Sequence, residues 1–128
     1  MNALSVVKPW GTKIANKEKT LEIRSWRPNS LPLKNIALVE NKIKLVTEGQ
    51  EDPNGYIVAL VDIVGCKPWV KSDSTAAGLG ESDFIDGYWA WQLENVKKLT
   101  KSINTVAKRK FYKLNSEIIN QIKLGIKK

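Results

Sequence analysis

The residues of this chain best suited to chemistry lie close together: Lys19, Glu22 and Arg24, followed by Trp26 and preceded by Trp10. In a strand, side chains at i and i+2 share a face, so Glu22 and Arg24 stand side by side about 7 Å apart along the backbone, with Trp26 continuing the row. Leu21 and Ile23 point the other way, toward a core. One short strand therefore presents an acid, a base and an aromatic ring. Lys19 offers a point charge to a phosphate and Arg24 a planar fork. Glu22 either holds Arg24 or accepts from a base amino group such as cytosine N4. Trp10 and Trp26 offer faces on which an exposed base can stack, roughly 1–3 kcal/mol per base. The plainer reading makes the charges an exposed ion pair and the two tryptophans core residues.

Particular elements must hold these residues. Ala3–Val7 reads as a strand. Pro9 suits the first turn of a helix, and Trp10 and Ile14 fall on one face, so the spacing predicts a short helix over Trp10–Lys17. Thr20–Trp26 is the strand carrying the charged row, and Arg27 to Pro32, with two prolines, is a loop. Asn35–Glu40 and the apolar, β-branched Tyr56–Val64 read as buried strands on either side of a turn-rich loop, Glu48–Gly55. Asp62 interrupts the second and needs solvent or a partner. Gly65 to Gly87, with four glycines, is expected as the longest irregular segment, a lid with a short helix at Ser72–Ala77 or Glu81–Phe84. Tyr88–Val96 is a strand with Trp89, Trp91 and Leu93 on one face, and Ala107–Leu114 is the last strand. A helix capped by Asn115 or Ser116 then carries an apolar stripe of Ile118, Ile119, Ile122 and Ile126, with Lys123, Lys127 and Lys128 toward the negative end of its dipole.

Composition narrows the function. A chain of 128 residues fits one domain, 1–128, with its core over about 4–114 and a basic C-terminal helix over 115–128. Its 42% apolar content and five tryptophans argue against disorder. No apolar run approaches the roughly 20 residues of a membrane span. The lone Cys66 cannot form an internal disulfide, and the amino terminus lacks a signal-peptide core, so the cytoplasm is the expected compartment. The absence of histidine removes the usual general base near neutral pH and the commonest zinc ligand. No metal or cofactor is expected, and any chemistry falls to Lys, Glu, Asp, Tyr, Ser, Thr or a carboxylate-bound magnesium.

The net charge of +8 is lopsided. Residues 1–96 carry eleven basic and twelve acidic side chains, whereas residues 97–128 carry ten basic ones and a single acid, Glu117. Such a footprint, with Lys108, Arg109 and Lys110 at its centre, suits a polyanion, most simply nucleic acid. On this reading the basic segment stands apart from the Lys19–Trp26 strand. The plainer alternative is a lysine-rich surface that serves solubility alone.

Pro9-Trp10, a short helical stretch and then Lys-x-x-Glu-x-Arg resembles the signature of the ASCH (activating signal cointegrator homology) domain family. That signature usually reads Gly-x-Lys-x-x-Glu-x-Arg: Lys19, Glu22 and Arg24 match it, and Lys17 stands in the glycine's place. A second block, Tyr88-Trp-Ala-Trp-Gln-Leu-Glu-Asn-Val96, resembles the family's later aromatic-rich strand ending in Leu-x-Asn. The resemblance runs from about Leu4 to Leu99, more loosely to Leu114. It implies a mainly β fold with short helices (α+β): a small PUA-like β-barrel with a short helix after the first strand and a C-terminal helix. It also implies a cleft between the short helix and the barrel, lined by Lys19, Glu22 and Arg24, that takes RNA or a nucleoside.

Three functions are then open. The first is a non-catalytic RNA- or nucleic-acid-binding module using Lys19, Glu22, Arg24, Trp26, Trp10, Lys108, Arg109 and Lys110. The second is an enzyme acting on RNA or a modified nucleoside, with Lys19 and Glu22 as candidate catalytic residues. A metal-independent ribonuclease fits this chain better than an N4-acetylcytidine amidohydrolase, because the related amidohydrolases place a threonine where this chain has Glu22. The third is an adaptor for a protein partner, as in the vertebrate coactivator that names the family.

Overall fold

A computed structural model of the chain describes residues 1–126. Lys127, Lys128 and the Ile126 side chain, read above as part of the last helix, lie outside the described residues. The strands are β1 (Asn2–Val7), β2 (Leu21–Arg24), β3 (Leu33–Asn41), β4 (Glu51–Pro68), β5 (Trp89–Lys108) and β6 (Phe111–Lys113). Helix α1 (Trp10–Ala15) follows β1, α2 (Ser116–Ile126) ends the chain, and single 3-10 turns lie at Lys71–Asp73 and Glu81–Asp83. All six strands join one sheet in the order β2-β5-β4-β3-β1-β6, with β1 parallel to β3 and the other pairs antiparallel.

This sheet is open, which corrects the expectation of a barrel. Its two edges, β2 and β6, are four and three residues long and share no ladder. Side chains bridge them instead. Arg24 Nη2 donates to the Ser5 carbonyl of β1 at 2.7 Å, and Trp26, just past β2, meets Phe111 of β6 edge to face at 5.7 Å. The sheet is nonetheless strongly curled. Arg109 and Lys110 alone link the end of β5 to β6, a span of about 10 Å at most.

Strands β4 and β5 are 18 and 20 residues long, far beyond the expected Tyr56–Val64 and Tyr88–Val96. Glu51-Asp-Pro-Asn-Gly55 reads as a turn yet pairs with Thr105 to Lys108 across a register shift. Shifts of this kind bend long strands without breaking them. Alternate residues enter two cores. Leu4, Leu38, Val61 and Trp91 pack on one side of the sheet, and their chain neighbours Ala3, Val39 and Leu60 pack with Ile57 and Leu99 on the other. Ile122 of α2 is fully buried in this second core, with Ile118 and Ile119 against it, and Asn115 Oδ1 caps the helix by accepting the Ile118 N–H at 2.9 Å.

Helix α1 is fixed by Glu40 of β3. Its carboxylate accepts the Thr12 backbone N–H at 2.6 Å and the Thr12 hydroxyl at 2.9 Å. Gly11 permits this approach, since a Cβ there would lie 2.9 Å from Glu40 Cβ. The helix ends two residues earlier than the sequence suggests, because Lys17 adopts φ +63°, a left-handed turn into β2. Asp62 finds partners: it accepts the Asn35 N–H at 2.9 Å and the Asn95 side-chain N–H at 2.8 Å, and these bonds hold its carboxyl below the usual carboxylate range.

A side chain in the left-handed region costs about 1–2 kcal/mol, against the 0.5–1 kcal/mol of entropy that glycine loses on folding. Lys17→Gly is therefore expected to raise stability by roughly 0.5 to 1 kcal/mol, read as a higher urea midpoint. An unchanged or lower midpoint would show that the turn carries no strain.

Candidate functional site

The expected face alternation of β2 is present: Leu21 and Ile23 pack with Trp69, Ala77 and Ala90, while Glu22 and Arg24 face the other way. The ion pair is not an exposed one. Lys19 is 4% exposed and Glu22 7%. Lys19 Nζ lies 3.3 Å from Glu22 Oε1 and donates to the Ala77 carbonyl. Arg24 Nε donates to Glu22 Oε2 at 2.8 Å, so one carboxylate serves two cations, one on each oxygen. Burial lowers the Lys19 pKa from its ordinary value, and the charge of Glu22 opposes that shift.

The acceptor for Lys19 comes from the segment between β4 and β5, which is less irregular than expected. β4 continues to Pro68, Trp69 and Ala77 are buried, and the backbone N–H groups of Thr20 and Leu21 both donate to the Ala76 carbonyl, at 2.9 and 3.2 Å. Its 3-10 turns at Lys71–Asp73 and Glu81–Asp83 overlap the two places where a helix was expected. Gly78, at φ +76°, lies against Trp10, and a Cβ there would come within 3.1 Å of the indole.

Above these residues opens a cleft of about 560 Å³. It gathers all eight site candidates: Lys19, Glu22 and Arg24 from the strand, Trp10 and Trp26 flanking it, and Lys108, Arg109 and Lys110 from the far end of the chain. Three of the ten basic residues of 97–128 thus lie at the cleft, not apart from it. The curl of the sheet brings the β5–β6 link to the cleft, a placement that only the topology reveals. Lys44, from the loop after β3, also lines the cleft, and nothing in its sequence neighbourhood signals this.

Both tryptophans pack and line the cleft at once. Trp26 stands at 90° to Trp91 with ring centroids 4.8 Å apart, and the Trp91 indole N–H donates to the Trp26 carbonyl at 3.1 Å. The Lys110 ammonium lies over the Trp26 ring at 5.2 Å, and the Lys19 ammonium over Trp10 at 5.6 Å. Among the described residues, Lys44, Arg109 and Lys110 make no ion pair, and Lys108 has only an exposed contact with Glu51 at 3.8 Å. No group of three or more Cys, Asp or Glu among the described residues is placed to hold a metal ion, and no described helix is long and apolar enough to cross a membrane.

The sequence model of the ASCH domain matches residues 4–103. The chain belongs to the ASCH domain family. Among solved structures it is similar to ASCH from Zymomonas mobilis, with a TM-score of 0.63 and 14% identity over 96% of this chain and 93% of that one. Two mutant proteins of the Zymomonas mobilis ASCH are similar too, each at 13% identity over 96% of this chain. A tyrosine-to-phenylalanine mutant has a TM-score of 0.58 and is covered over 96%, and a serine-to-alanine mutant has 0.54 and is covered over 94%. At these identities the likeness is one of fold. No curated protein matches the chain. The φ of +63° at Lys17 gives a physical reason for the glycine usual at that point of the ASCH signature.

The shared carboxylate orders the cost of mutations in this ASCH domain. Glu22→Gln strands the buried Lys19 charge and is expected to cost about 3–5 kcal/mol in urea unfolding. Lys19→Met leaves Glu22 paired with Arg24 and is expected to cost less than half as much. The reverse order would show that Glu22 is not the anchor.

Proposed function

We propose that this ASCH domain is a non-catalytic RNA-binding module that holds an unpaired nucleotide of its ligand in the cleft. The observation that carries the reading is the convergence, on one cavity, of two tryptophan rings and three cations, Lys44, Arg109 and Lys110, that make no ion pair among the described residues. A volume of about 560 Å³ lies within the roughly 300–1,000 Å³ of small-ligand sites, which suits one or a few nucleotides and not a duplex.

The geometry divides the labour. Lys19 and Arg24 spend their hydrogen bonds on Glu22 and on the Ala77 and Ser5 carbonyls. They therefore shape the cleft and set its potential. Phosphate contact falls to Lys44, Lys108, Arg109 and Lys110, and base stacking to Trp26 and Trp10. The mutual engagement of Lys19 and Glu22 also favours binding over a reading in which these two residues act as an acid–base pair on RNA.

The test is fluorescence anisotropy with short, labelled single-stranded RNA at several salt concentrations, followed by a denaturing gel. Binding should weaken with salt, and the RNA should be recovered intact. Replacing Lys108, Arg109 and Lys110 together by alanine should flatten the log–log salt dependence by about 0.7 to 1 per lost phosphate contact. An unchanged slope in the triple variant would contradict the assignment of these residues. RNA shortened by the wild type and left whole by Lys19→Ala would make the protein a ribonuclease.

A further inference from the structure

We propose that Lys110 makes the cleft selective for nucleotides that carry a phosphate over free nucleosides, because its ammonium occupies the ring face of Trp26 on which a base would stack. The inference rests on the RNA-binding reading above and specifies the ligand of that same site.

Three observations place Lys110 in this role. It is exposed and makes no ion pair among the described residues, so the Trp26 ring, 5.2 Å from its ammonium, is the partner the structure gives it. Its backbone is unusual for a lysine, with φ +56°, and it belongs to a two-residue link between β5 and β6. The residues on either side are paired into the sheet, Lys108 with Glu51 and Phe111 with Leu4. An uncommon backbone conformation over-determined by its surroundings is a reason to look for function. Here it fixes where the lysine stem starts, at the cleft and within reach of the Trp26 ring.

Trp26 is held as firmly. Its ring meets Trp91 at 90° and Phe111 at 87°, and its carbonyl accepts the Trp91 indole N–H. The ring cannot swing away to offer another face without breaking these contacts. For a base to stack on the face of Trp26 that Lys110 covers, the ammonium must leave. An exposed cation–π contact of this kind corresponds to about two- to fivefold in affinity. A free nucleoside offers the displaced ammonium nothing in exchange. A nucleotide offers its phosphate, which takes a charge-assisted hydrogen bond and an ion pair from the same side chain. The lysine thus opposes the bare nucleoside and favours the phosphorylated one. Wherever a phosphate accompanies the base, in a strand or in a mononucleotide, the exchange is favourable.

The experiment titrates the full chain with the four ribonucleosides and their 5′-monophosphates at low salt, following the tryptophan indole N–H resonances by NMR. Wild type should bind the monophosphate of the best base at least tenfold more tightly than its nucleoside. Lys110→Gly, which accepts the left-handed backbone, should bind the nucleoside two- to fivefold more tightly than wild type does and the monophosphate more weakly. Lys110→Asn, which also tolerates this φ, should shift both affinities in the same directions. Lys123→Ala on α2 removes the same charge away from the cleft and should leave the nucleoside-to-monophosphate ratio at its wild-type value. Nucleoside binding that is unchanged, weakened or undetected in both Lys110 variants overturns the proposal while the RNA-binding reading stands. If nucleosides, monophosphates and single-stranded RNA all fail to bind wild type, both fall together.

Discussion

Two cations meet at the carboxylate of Glu22, on one edge strand of an open sheet. One oxygen faces Lys19 and the other accepts from Arg24, and each cation carries the connection onward. Lys19 donates to the Ala77 carbonyl, which fastens the long β4–β5 connection over the start of β2. Arg24 donates to the Ser5 carbonyl, which ties the β2 edge to β1, a strand with which it shares no ladder. An ion pair this deep does not guarantee stability, since desolvation offsets much of the attraction. Its value is positional. Removing the shared acid would leave two cations facing each other across the floor of the cleft.

The floor and the rim of the cleft then differ in kind. Below, one carboxylate offsets only part of the charge of two cations, and each cation is held by Glu22 and by a backbone carbonyl. Above, Lys44, Arg109 and Lys110 line the cavity and make no ion pair among the described residues. A preorganised, hydrogen-bonded floor under a cationic rim suits a ligand that is flat at one end and anionic at the other. On the proposed reading the ASCH signature residues shape the cleft, and the cations assigned to phosphate come from elsewhere in the chain.

Much of this was legible in the sequence where a residue's role is set by near neighbours. The i, i+2 alternation of β2, the apolar stripe of α2 and its Asn115 cap follow from local periodicity and capping chemistry. The ASCH signature brought Lys19, Glu22 and Arg24 together correctly, and Lys17 occupies the turn that a glycine usually makes. What stayed hidden depends on distant pairing. The polar carboxyl half of β5 and the turn-like start of β4 look irregular alone, and only their pairing with each other makes them strands. The expected barrel also depended on distant pairing: the short edges β2 and β6 form their ladders with β5 and β1, and none with each other. The separation between the basic segment and the site was a property of sequence order, removed by the curl of the sheet. Lys44 had no local signal at all.

The most direct measurement is photocrosslinking of single-stranded RNA carrying 4-thiouridine, with the modified peptides mapped by mass spectrometry. Binding in the cleft predicts crosslinks on the peptides that contain Trp10, Trp26 and the Arg109–Lys110 link, and their loss in Glu22→Gln. Crosslinks confined to α2 or to the outer face of β5, with those peptides untouched, would contradict it.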